Sequence, residues 1–239
     1  MKASDKPIYV RFGYEFDGPW NAYEPTLYKE AYKHFVDVIR DTTIPGEFHY
    51  GVGNNISFVW HSAAFFRLGE YAIWPGSTYD KIQVENYLTN STVSLEDWYP
   101  GDEYVDWVGI SWFAWDHKFQ EDTASIRRDE AVVFAKEHNK PVMIAEAAPK
   151  ANWQPNNPTK GCCDDGKVCV IGETDFTHEG DSWDNWYEPM FDYIETNNIK
   201  ALCYINQDWN EQQMWQLEGG WGDSRVQENQ YILDKWLNK

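Results

Sequence analysis

Two strand-like runs decide how this chain folds: IYVRFGYEFDG (8–18) and KPVMIAEAAP (140–149). In each, apolar residues lead into a glutamate, Glu15 or Glu146. Turn formers follow: Asp17, Gly18 and Pro19 after the first, Pro149 after the second. A carboxylate at the carboxyl end of a buried strand, repeated on two strands, marks a paired-acid site on the rim of an α/β barrel. The chemistry to which such a pair points is hydrolysis of sugar linkages.

The rest of the chain fits that frame. Apolar runs predict strands over 7–16, 47–60 (ISFVW its strongest part), 104–113, 141–147 and 200–206. Helical spacing predicts a helix over 26–40, after Pro25, with Leu27, Ala31, Phe35, Val38 and Ile39 on its apolar face. Further helices are expected over 124–138, 183–196 and 225–237, and an elaborated loop with short helical pieces over 62–103. Five βα units alternate without a linker, which implies a parallel sheet of the (β/α)8 TIM-barrel type in a single domain over 1–239. A closed barrel needs eight such units, in roughly 250 residues. Five visible units therefore predict a partial barrel.

Composition narrows the partners. The net charge of −19 opposes binding to nucleic-acid phosphates or anionic lipid, while a neutral glycan is indifferent to it. Aromatics reach 17%, with 14 Trp and 15 Tyr, many beside Asn, Asp and Gly. Indole faces pack on the C–H faces of sugars while polar side chains take the hydroxyls, so the mixture suits a carbohydrate groove. No run approaches the roughly 18–20 apolar residues of a membrane span. The start, MKASDKP, lacks the apolar core of a signal peptide. Cysteine usage nevertheless favours an exported enzyme whose leader is absent from this chain. Cys162, Cys163 and Cys169 crowd into GCCDDGKVC, where Cys169 can pair with Cys162 or Cys163, and Cys203 lies in ALCYI. Zinc-type spacing is missing, and the acidic run GETDFTHEGDSWD (172–184) offers calcium-type oxygens without an EF-hand pattern, so a solvated loop is expected. Asn90 opens a sequon that a bacterial source would leave unread.

RFGYEFDGPWNAY (11–23), NISFVWHS (55–62), YPGDEYVDWVGIS (99–111) and KPVMIAEAAP (140–149) together resemble the family 26 glycoside hydrolases, retaining β-mannanases, β-1,3-xylanases and some mixed-linkage glucanases. The resemblance implies a (β/α)8 barrel with the general acid/base at the end of strand four and the nucleophile at the end of strand seven. Glu15 and Glu146 match those positions, and the three strand steps between them agree. The chain then carries strands four to eight, with open edges to be covered by a second copy of the chain or by its own loops, the 62–103 segment among them. It implies an endo-acting retaining enzyme without cofactor or metal, acting on mannan, β-1,3-xylan or mixed-linkage β-glucan. That mechanism needs two carboxyl groups about 5–5.5 Å apart, the acid/base partly desolvated with a raised pKa and the nucleophile held ionised by hydrogen bonds. The family usually has His directly before the acid/base. Here Tyr14 stands there, which alters subsite contacts.

Further substrate-binding candidates follow from their places at strand ends. Arg11 lies four residues before Glu15; Trp20 and Asn21 follow it. Trp60 and His61 end the second strand, Trp112 ends the third, and Asn206 and Trp209 follow the last, where Trp209 is placed to stack on a sugar. Asp102 and Asp106 lie at the start of a strand, on the opposite rim, and are expected to serve structure.

Overall fold

A computed structural model describes residues 6–18, 21, 23–40, 55–64, 94–113, 123–149, 182–212 and 222–239. Trp20, the loop cysteines, Asn90, most of the 62–103 stretch and nearly all of the acidic run 172–184 lie outside them. The strands are β1 (Ile8–Val10), β2 (Ile56–Ser62), β3 (Trp107–Phe113), β4 (Val142–Ala148) and β5 (Ala201–Tyr204). The helices are α1 (Pro25–Arg40), the single turn α2 (Leu95–Trp98), α3 (Thr123–Glu137), α4 (Glu188–Asn197) and α5 (Gln230–Trp236). The strands form one sheet in the order β1-β2-β3-β4-β5, with β1–β2 and β2–β3 parallel. Strictly sequential order with helices between strands is barrel topology; a doubly wound sheet would reverse its order partway.

The strand over 7–16 is shorter than its apolar pattern predicts, because β1 stops at Val10. Gly13 and Glu15 both adopt left-handed backbone, φ +54° and +52°, which an extended run cannot contain. Two expected helices also divide. The first opens as a π-helical turn, Trp183–Tyr187, before α4, where Pro189 has no amide proton to donate. The second becomes a 3₁₀ turn, Val226–Glu228, and then α5, whose start is capped by Asn229 Oδ1 accepting from the Ile232 amide at 3.1 Å.

The chain divides into two compact units, Met1–Ser111 with Ile126–Met143, and Trp112–Ser125 with Ile144–Lys239. In the first, α1 buries Tyr28, Tyr32 and Val36, four residues apart, whereas Leu27 and Val38 from the expected face are exposed. Tyrosine rings decide the face. Tyr28 lies 5.3 Å from Phe16 and 5.6 Å from Trp98, centroid to centroid. Asp102 and Asp106 serve structure: Asp102 accepts from the Tyr99 hydroxyl at 2.9 Å, and Asp106 accepts from the Phe58 amide at 2.8 Å. In the second unit, Trp183, Trp186, Tyr187, Met190 and Ile232 are buried, and Trp236 packs edge-on to Tyr187 and Phe191. Cys203 is a free, exposed thiol on β5.

Candidate active site

In the first unit the chain leaves β1 through a tight loop that aims Glu15. The left-handed turn is held from outside: the Gly18 amide donates to the Glu15 carbonyl at 2.8 Å, and the Phe16 amide donates to the His61 carbonyl at 3.2 Å. Asn21 Nδ2 donates to the carbonyls of both Glu15 (2.8 Å) and Tyr14 (3.0 Å). Asn21, expected at a substrate subsite, therefore spends its amide N–H groups pinning this turn.

The Glu15 side chain is buried, with the residue only 7% exposed. Its Oε1 accepts from Ser111 Oγ at 2.6 Å; Ser111 Oγ lies 3.0 Å from His61 Nε2, and His61 Nδ1 lies 3.2 Å from Arg11 Nη1. Burial, reinforced by the Arg11 charge, holds the His61 imidazole well below its ordinary pKa, so it is neutral. The Arg11 guanidinium also sits 5.6 Å from the centre of the Tyr14 ring, which is 48% exposed. Below Glu15, Asp17 is clamped from three sides: by Ser62 Oγ at 2.6 Å, the Ala63 amide at 2.7 Å and Arg127 Nε at 3.3 Å.

The pleat of the sheet explains which strand-end residues join this cluster. His61 is in register with Gly109, so His61 and Ser111 share one face while Trp60, Val108 and Ile110 take the other. Trp60 is fully buried there, stacked on Phe16 at 4.4 Å and against Tyr99 and Phe134. It is core rather than a sugar platform. Trp112, one residue past Ser111, is 3% exposed and packs on Tyr193, 5.2 Å away; it too is corrected from groove to core. Ser111, Asp17 and Arg127 were not among the expected site residues. Only the small polar residue on the His61 face of β3 hinted at the first.

In the second unit Glu146 is the one residue of β4 that is not buried. After β5, exposed Asn206 accepts from the Val226 amide at 2.8 Å and donates to Gln227 Oε1 at 3.0 Å, so its amide holds the following 3₁₀ turn. Trp209, half-buried, donates its indole N–H to Ser224 Oγ at 3.1 Å. Among the described residues, no group of three or more His, Cys, Asp or Glu side chains is placed to hold a metal ion, and no helix is long and apolar enough to cross a membrane.

The chain is 33% identical over 242 residues to a β-1,3-xylanase of an Alcaligenes species, an alignment covering 97% of this chain and 42% of that protein. A β-1,3-xylanase of a Vibrio species matches equally, at 33% identity, 97% of this chain and 43% of that one. Among solved structures, a Cellulomonas fimi endo-β-1,4-mannanase double mutant aligns with a TM-score of 0.53 at 16% identity, over 97% of this chain and 40% of that one. The catalytic domain of a family 26 endo-β-1,4-mannanase from a Bacillus species aligns with a TM-score of 0.50 at 17% identity, over 95% and 50%. No protein-family model matches the chain.

The fold is thus a partial (β/α) barrel, aligned with about 40% and 50% of the two solved structures. Over 97% of its length the chain is similar to these two β-1,3-xylanases, and it spans 42% and 43% of their lengths.

Proposed function

We propose that this chain is a secreted catalytic domain hydrolysing a neutral β-linked polysaccharide by a retaining, endo-acting mechanism, with Glu15 as acid/base and Glu146 as nucleophile. The Glu146 carboxylate attacks the anomeric carbon while the Glu15 carboxyl protonates the departing oxygen, leaving a glycosyl ester. The Glu15 carboxylate then takes a proton from water, whose oxygen displaces Glu146. Of the mannan, β-1,3-xylan and mixed-linkage glucan considered, β-1,3-xylan leads, because the two relatives at 33% identity are named β-1,3-xylanases. Tyr14 and Trp209, both with accessible ring surface, are the candidates for stacking on sugar units.

The observation that carries this reading is the Glu15 carboxyl itself: buried, hydrogen-bonded by Ser111 and set on a left-handed backbone just past a strand end. Strain of that kind concentrates at working sites. Reducing-sugar release from β-1,3-xylan tests it, with abolition expected in Glu15→Gln and Glu146→Gln. Proton NMR of the first product formed checks retention. A competing reading, glycan binding without turnover, draws on the 42% coverage of the relative. It wins if the unaltered protein binds the polysaccharides but releases no sugar from any of them. The same proposal includes self-association that covers the outer strands β1 and β5, checked by the molar mass in solution.

A further inference from the structure

The contacts that converge on Glu15 have a fixed polarity. A guanidinium only donates, so His61 Nδ1 must accept from Arg11 and the imidazole carries its single proton on Nε2. That N–H then points at Ser111 Oγ, 3.0 Å away, and occupies it as an acceptor. The Ser111 hydroxyl hydrogen is left to one partner, Glu15 Oε1, at the 2.6 Å separation of a charge-assisted O–H···O contact. Every link runs from Arg11 towards Glu15. The two middle residues, His61 and Ser111, are 0% and 2% exposed, so solvent does not compete for these bonds.

We propose that His61 and Ser111 are positioning residues that transmit the Arg11 charge to Glu15 as a one-way hydrogen-bond relay, which fixes the rotamer of the carboxyl and confines its transferable proton to Oε2. The mechanistic part rests on the reading of Glu15 as acid/base; the relay itself does not. Oε1 is permanently an acceptor, so protonation occurs at the other oxygen. The carboxylate gains a donor that the carboxylic acid profits from less, and removing that donor raises the pKa of Glu15. Among the described residues, Tyr14 lies against Arg11, and Asp17 of the same loop pairs with Arg127 of α3.

The test combines structure-specific NMR with kinetics on the intact chain. Nitrogen-15 spectra of the unaltered protein are expected to show His61 with a protonated Nε2 and a bare Nδ1; the opposite tautomer, or an imidazolium at neutral pH, overturns the relay. Carbon-13 titration is expected to place the Glu15 midpoint about one pH unit higher in Ser111→Ala than in the unaltered protein, with Ser111→Thr restoring it. An unmoved midpoint overturns the relay as well. If Ser111→Ala does not fold, the tautomer measurement and Ser111→Thr still decide.

Kinetics address the acid/base part. Ser111→Ala should slow cleavage of xylo-oligosaccharides at least about tenfold while sparing aryl xylosides with an acidic phenol leaving group, which need little protonation. Equal losses on both substrates would reduce Ser111 to general structural support and overturn the positioning role. Turnover retained by Glu15→Gln would instead defeat the assignment of Glu15 as acid/base, with the NMR outcome standing apart.

Discussion

Asp17 and Arg127 form a buried ion pair, Oδ2 to Nε 3.3 Å, with side chains 7% and 5% exposed, two residues along the chain from Glu15. The pair ties the loop after β1 to α3. Arg127 also reaches Glu130 Oε2 at 3.2 Å, and Asp17 also accepts from Ser62 and the Ala63 amide, so both charges are well supplied with partners. Removing one charge strands the other in a place from which water is excluded. Arg127→Ala should therefore lower the unfolding free energy by about 3 kcal/mol in urea melts. The double variant Arg127→Met with Asp17→Asn should lose less than the two single losses added together.

Gly13 tests the backbone of the same loop. Its φ of +54° disfavours any residue with a Cβ, and a Cβ placed there would stand 2.8 Å from Tyr28 Cε2. Gly13→Ala is expected to cost about 2 kcal/mol, the left-handed penalty plus displacement of a buried ring. The check is the denaturation midpoint. Because Tyr28 belongs to the core rather than to the sugar surface, glycan specificity should be unaffected in the fraction that remains folded.

His61 gives the chain a pH signature. Its folded pKa lies well below the ordinary 6.5, because the buried imidazole beside Arg11 resists a second charge. The unfolded chain takes up a proton near pH 6.5 that the folded chain refuses, so this contribution is fully present above that pH and is lost as pH falls. The slope approaches about 1.4 kcal/mol per pH unit below 6.5. Urea melts between pH 7.5 and 5 should show this loss in the unaltered protein and lack it in His61→Gln.

Two of the four tryptophans expected at substrate subsites, Trp60 and Trp209, should separate cleanly. Trp60→Ala empties a fully buried site and should cost about 3–5 kcal/mol, with thermal melts as the check. Trp209→Ala, at a half-buried position on a short turn, should cost about 1 kcal/mol of stability while weakening β-1,3-xylan binding in gel-shift titrations. Unchanged affinity in folded Trp209→Ala would remove Trp209 from the proposed groove.

Much of the fold was legible because it rests on local pattern. The apolar runs and alternating helices marked five βα units, and the acids after two of those runs marked Glu15 and Glu146. What stayed hidden depends on geometry that pattern does not carry. Tyrosine reads as polar in a periodicity count yet fills the buried face of α1 at Tyr28 and Tyr32. A strand-end position says nothing of the pleat, so Trp60 and Trp112 looked like rim residues although they face the helices. The partner of the Glu15 carboxyl, Ser111, is 96 residues away in sequence, and only the register of β2 with β3 brings it onto the His61 face.

The two neighbours of Glu15 differ in a way that bears on redesign. Phe16 is wedged into the ring stack with Trp60, while Tyr14 leaves nearly half of its surface open. Changes of ring size at position 16 would travel straight to the adjoining carboxyl and blunt it. Position 14, exposed and beside the Arg11 guanidinium, is where a library should be aimed to test the proposed polysaccharide preference, with Arg11 kept in place.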